Sequence, residues 1–185
     1  MNAFWAYFWP PFAAALVIGM IAGLIAFHAP RIRSKHSQAE LDAALAKWRR
    51  RRARATIVGF VASFLPACLW HGPLGAADRF TASVEQSARQ LLADNDAPAG
   101  VNARIHHDPL TRQLILAGPS NDFQRAEAAR LLSQISGVSG ASWARTSGIP
   151  LIAEGAMSGV LGFLFGLLLA YLIELRRRHN AQWNW

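Results

Sequence analysis

The residues able to do chemistry are few, and their spacing does not bring them together. His106 and His107 are adjacent, so on a strand they point to opposite faces and do not chelate a metal as a pair. His28 and His71 fall at opposite ends of two apolar stretches, about a membrane thickness apart, which excludes joint ligation of a haem. A single axial ligand to a pigment held by a partner is the metal reading that remains. Cys68 is the single cysteine, inside an apolar stretch and without an activating neighbour. Glu154 and Glu174 stand near the ends of a third apolar stretch, where a carboxylate costs little; a proton relay needs such a group deeper. No nucleophile–base pattern, phosphate loop or metal-ligand spacing is present. The reading is of a protein that is not an enzyme, with no catalytic, cofactor-binding or metal residue assigned and no cofactor.

The elements that carry these residues are set by composition. The chain has 185 residues, 19 Lys and Arg against 11 Asp and Glu, and a net charge of +8. Apolar types make up 52% and charged types only 16%, against about 25% in a typical soluble domain. That mixture excludes a disordered chain, a disulfide scaffold and a collagen-like fibre. Three stretches reach the roughly 20 residues a spanning helix needs. They run over about 11–29, 55–74 and 149–175, the second lengthened by snorkelling of Arg54 and by the apolar part of 71–74. Three buried core helices of a soluble protein are the competing reading, but few charges are left elsewhere to cover them. Pro66 predicts a kink in the second stretch.

Charge placement orients the spans. Residues 30–54 hold nine Lys and Arg against Glu40 and Asp42, a net of +7, and Arg176, Arg177 and Arg178 follow the third span. The segment between spans two and three has seven Arg and seven acids and nets zero. The positive-inside rule then puts 30–54 and the tail 176–185 in the cytoplasm, and the N-terminus and 75–148 outside, in a multi-pass protein of a bacterial inner membrane facing the periplasm. Phe4, Trp5, Tyr7, Phe8 and Trp9 precede Pro10-Pro11 and read as an interfacial aromatic belt ahead of a helix start, not as a cleaved signal.

Within 30–54, Ser37 and Glu40 have the form of a capping box, and Leu41, Ala44, Leu45 and Trp48 follow at helical spacing. This predicts a short amphipathic helix on the inner leaflet, leading into span two, with Arg49, Arg50, Arg51, Arg52 and Arg54 as contacts to anionic lipid. The same run also serves as a topology determinant. Its place beside a span argues against nucleic acid as a partner.

Residues 75–148 read as a small α+β domain of order αββαβ. Phe80, Val84, Leu91 and Leu92 stripe a helix; 101–107 alternate as a strand; 108–111 give a turn; 112–117 form a second strand with Leu114 and Leu116 on one face. Asn121 and Gln124 cap a helix burying Ala128, Leu131, Leu132 and Ile135, Gly137 stops it, and 138–145 make a last strand around Trp143. Leu114-x-Leu116-x-Gly118, Arg125-x-x-Ala128 and Ile135-x-Gly137-Val138 together resemble the BON domain of bacterial osmotic-stress and nodulation proteins, over roughly a third of the chain. The resemblance implies a non-catalytic, envelope-facing module associated with phospholipid attachment or protein contacts.

Small residues recur at intervals of four in all three spans: Ala15, Gly19 and Gly23; Gly59, Ser63 and Ala67; Gly155 and Gly159 with Gly162, Gly166 and Ala170. In lipid, close packing over such residues drives helix association. The rows either join the three helices to each other or present a face to another protein. The fold expected is three transmembrane helices with the BON-like domain. The function expected is that of an accessory or scaffolding subunit of a larger membrane complex. The alternative is a free-standing envelope module binding phospholipid or cell-wall material. The partners are membrane lipids and other integral membrane proteins or a homo-oligomer.

Overall fold

The structure is a computed structural model that describes residues 3–28, 38–144 and 148–183. Its elements in chain order are α1 (Ala3–Phe27), α2 (Gln38–Ala62), α3 (Leu65–His71), α4 (Ala76–Asp94), β1 (Asn102–His107), β2 (Leu110–Ala117), α5 (Asp122–Leu132), β3 (Gly140–Ser142) and α6 (Leu151–Trp183). Three helical stretches, Tyr7–Phe27, Gln38–His71 and Leu151–Ala181, are long and apolar enough to cross a membrane. The chain divides into two compact units. One is an α/β unit made of 1–9 and 68–155, wider than the 75–148 read from sequence; the other is a helical unit made of 10–67 and 156–185.

The α/β unit forms because each of its elements has one apolar side. Phe80, Val84, Ala88 and Leu92 lie one above another on α4 and are buried. Ala103 and Ile105 of β1 and Leu114 and Leu116 of β2 alternate inward, and Ala128 and Leu132 of α5 complete the core. β1 and β2 pair antiparallel, with Ala103 opposite Leu116 and Ile105 opposite Leu114, so the four apolar side chains share one face. β2 and β3 pair in parallel, giving a three-stranded sheet of order β1-β2-β3 with α5 as the crossover. Asn121 accepts from the Gln124 amide at 2.8 Å while the Gln124 side chain accepts from the Asn121 amide at 3.0 Å, closing the capping box of α5. Gly118 leaves β2 at φ +129°, and a Cβ there would meet the Gly100 carbonyl, so the sequence needs glycine at that exit.

Three boundaries differ from the sequence reading. α5 ends at Leu132 and is capped by Ser133, so Ile135 lies beyond the helix and Gly137 is not what stops it. The connection between β1 and β2 is only Asp108-Pro109; Leu110 and Thr111 belong to β2, where cross-strand pairing with His107 takes them out of the turn. β3 covers Gly140–Ser142 and stops before Trp143, whose indole Nε1 donates to the Arg125 carbonyl at 3.0 Å instead of flanking a ladder.

In the helical unit most inward side chains are small and the outward ones large, Phe163 being the large exception. Ala15, Ala22, Ala26, Ser63, Ser158, Phe163 and Ala170 are buried, whereas Val17, Ile57, Val58, Val61, Leu164 and Leu168 are about half exposed or more. That is the pattern of helices associating by close approach rather than by a hydrophobic force. A Cβ at Gly162 would fall on the Phe12 carbonyl, one at Gly166 on the Leu16 carbonyl, and one at Gly19 on the Phe163 carbonyl, so α1 and α6 touch backbone to backbone. Gly59 faces the Ala22 methyl and the Phe163 ring, and Gly159 faces the Ser63 carbonyl, which brings in α2.

Three expectations change here. The basic run and the start of the second span are one helix, α2, without the break at 54–55 that separates an interfacial helix from a span. Ala, Arg and Lys are all good helix formers, so nothing in 46–55 interrupts the ladder. Pro66 does not kink a continuous helix: α2 ends at Ala62, Ser63 Oγ donates to the Phe60 carbonyl at 2.6 Å, and Pro66 sits in the first turn of α3, where a missing N–H costs nothing. Pro10 and Pro11 are likewise not at a helix start, since α1 begins at Ala3.

Candidate functional site

The expected interfacial belt is not what Tyr7 forms. Tyr7 is 3% exposed, its ring lies against Phe80, and its hydroxyl hydrogen-bonds His71 Nδ1. The side chains of Phe4 and Trp5, and the Ser37 half of the proposed capping box, lie outside the described residues.

The most buried charge among the described residues of the α/β unit is Arg112, to which the sequence reading gave no role. It occupies β2 two residues before Leu114 and therefore shares the inward face. Its Nε donates to both oxygens of Glu154, at 2.9 and 2.7 Å, and its Nη1 donates to the Gly137 carbonyl at 3.1 Å. The guanidinium also stands 4.9 Å from the centre of the Phe80 ring. Glu154 is thus a counterion, tying the first turn of α6 to the sheet and, through Arg112, to the turn at Gly137 beyond α5. The arrangement holds charge in place. The legible signals were a carboxylate one turn into α6 and an Arg in phase with Leu114 and Leu116.

The remaining candidates are dispersed. His106 Nδ1 lies 2.9 Å from the Pro109 carbonyl, and His107 Nε2 lies 4.0 Å from Glu85 Oε1 on the other side of the strand. His28 meets Arg177 at 3.0 Å, and Cys68 is exposed. Among the described residues no three His, Cys, Asp or Glu side chains stand close enough to hold a metal ion.

Two grooves are better formed. In the α/β unit, α4 and α5 enclose about 180 Å³ between Leu91, Pro98, Leu131 and Phe123, with Phe123 79% exposed at the rim. Beside it, hydrogen bonds from Arg130 hold the Glu127 carboxyl below its ordinary value. In the helical unit, an open groove of about 800 Å³ runs along α2. Of the five arginines expected to meet lipid, Arg50, Arg51 and Arg54 line it together with Lys47. Arg52 turns away and stacks on the Phe27 and Trp48 rings at 5.6 Å, and Arg49 lines neither surface.

Every small residue singled out for helix packing is buried: Ala15, Gly19, Gly23, Gly59, Ser63, Ala67, Gly155, Gly159, Gly162, Gly166 and Ala170. In the helical unit their neighbours are backbone and side chains of α1, α2 and α6. Compared with protein-family models, with curated proteins and with solved structures, the chain matches none.

Proposed function

We propose that this is a non-catalytic, three-span protein of a bacterial inner membrane, serving as an accessory or scaffolding subunit of a larger membrane complex. Its α/β unit, a BON-like domain on the periplasmic side, is the part that meets the partner. The orientation rests on the basic residues before span two and after span three, with a neutral segment between. The observation that carries the reading is Phe123: an aromatic side chain 79% exposed on α5, at the lip of an apolar groove, in a unit whose own core is already closed by Leu114 and Leu132. Exposed aromatics beside a pocket are what interface anchors are made of. The small-residue rows support an internal role, since α1, α2 and α6 use them on one another.

The test is recovery of the native assembly. Extracted in mild detergent, the parent chain is expected to travel on a native gel with one large complex. Phe123→Glu is expected to lower co-migrating partner at least about tenfold, the loss of a single interface anchor, while membrane insertion stays unchanged. Equal recovery with Phe123→Glu removes the groove from the interface. A lone small species from the parent would favour a free-standing envelope module instead.

A further inference from the structure

The groove along α2 has a chemical polarity that the reading of its arginines as general lipid contacts does not contain. At 100° per residue, Lys47, Arg50, Arg51 and Arg54 fall within a wedge of about 100°, while Arg49 and Arg52 point elsewhere. Among the described residues, no carboxylate lies within ion-pair distance of any of these four cations. Val58 continues the same wedge one turn beyond Arg54, and Ile25 of α1 forms the facing wall; they are 66% and 38% exposed. One open groove of about 800 Å³ therefore holds four cations with no described carboxylate partner, flanked by Ala43 and Ala46 on one side and by Ala55, Val58 and Ile25 on the other. Along α2 the four cations cover about 10 Å, and Val58 lies about 6 Å further on.

The geometry points to a bound anionic phospholipid: its phosphate headgroup sits on Lys47, Arg50, Arg51 and Arg54, and an acyl chain runs along Ile25 and Val58. The cations need a ligand with negative oxygens, and the aliphatic walls need one with hydrocarbon attached to them. An acidic peptide or a nucleic acid meets the first need and leaves Val58 and Ile25 uncovered. The sequence of the stretch 29–37 holds Arg31, Arg33 and Lys35 and no carboxylate, so it has no anionic group to offer these cations. Basic pockets between spanning helices bind phosphate headgroups by the same physics. The inference rests on the membrane-spanning reading above.

Four full-length chains decide it: the parent, Arg50→Gln with Arg54→Gln, Arg49→Gln with Arg176→Gln, and Val58→Trp. The second and third lose equal charge; the fourth keeps every charge and fills the apolar end. Each is purified in detergent with dianionic cardiolipin, monoanionic phosphatidylglycerol or zwitterionic phosphatidylcholine, and retained lipid is counted by native mass spectrometry. One anionic phospholipid per parent chain is expected, with no retention of phosphatidylcholine and no displacement by millimolar inorganic phosphate. Retention is expected to fall about tenfold in the Arg50/Arg54 and Val58→Trp chains and to stay at the parent level in the Arg49/Arg176 chain. Equal losses in the two charge variants would reduce the site to general electrostatic attraction and overturn the inference, as would equal retention of phosphatidylcholine. Displacement by phosphate would make it an anion site with no lipid specificity. Extraction of the parent from membranes by alkaline carbonate would sink the spanning reading itself, whereas a chain that stays in the membrane and retains no lipid sinks only this inference.

Discussion

At the scale of single residues, Arg112 and Glu154 show how charge is used in this protein. A charge pair 6% and 22% exposed on its two sides has little water to fall back on, so removing one partner strands the other. Glu154→Ala is expected to destabilise the full-length chain by about 3–5 kcal/mol. Arg112→Met combined with Glu154→Leu is expected to recover most of that loss, because no buried charge is then left alone. Denaturant unfolding of the detergent-solubilised protein, followed by tryptophan fluorescence, checks both; a double variant as unstable as the single one would show that the Gly137 and Phe80 contacts of Arg112 dominate. Only part of this was legible in the sequence. Leu114 and Leu116 marked the inward face of β2, and the same period of two put Arg112 on it. The identity of its counterion depends on a 42-residue separation that no local pattern reports.

At the scale of elements, α4 and α5 were readable because their signals are local. The Phe80, Val84 and Leu92 stripe and the Asn121–Gln124 box each need only a few neighbouring residues. The second span was not readable in the same way. Proline predicts an interruption, but whether a helix bends or stops depends on what satisfies the freed carbonyls, here the Ser63 side chain and backbone. The glycine rows were visible, yet their partners were not. Gly166→Leu would push a side chain into the Leu16 carbonyl and the Met20 amide, so it is expected to cost at least about 1–3 kcal/mol and lower the thermal midpoint of the helical unit. Leu168→Ala, on a half-exposed face, is expected to leave that midpoint nearly unchanged in detergent. Circular dichroism melts of the two variants give the comparison; equal midpoints would mean that α1 does not sit on the Gly162–Gly166 row.

At the scale of the whole molecule, the proposed topology has three crossings, so reporters placed before span three and after it are expected on opposite sides. Alkaline phosphatase fused after Asp96 is expected to be active and after Arg178 inactive, with a cytoplasmic fluorescent reporter giving the reverse; activity at both positions would remove the third crossing. What the sequence determined by itself is the existence of three apolar helices, the uneven distribution of charge, and a small αββαβ segment between the second and third. Each follows from hydrophobicity or period over a short window. What only the tertiary structure decided is which groups meet. Arg112 finds Glu154, Tyr7 finds His71 and Phe80, Gly162 finds the backbone at Phe12, and Lys47 joins Arg50, Arg51 and Arg54 around Val58 while Arg52 leaves them for Phe27 and Trp48. Periodicity specifies which face of an element is apolar; long-range packing alone selects what that face touches.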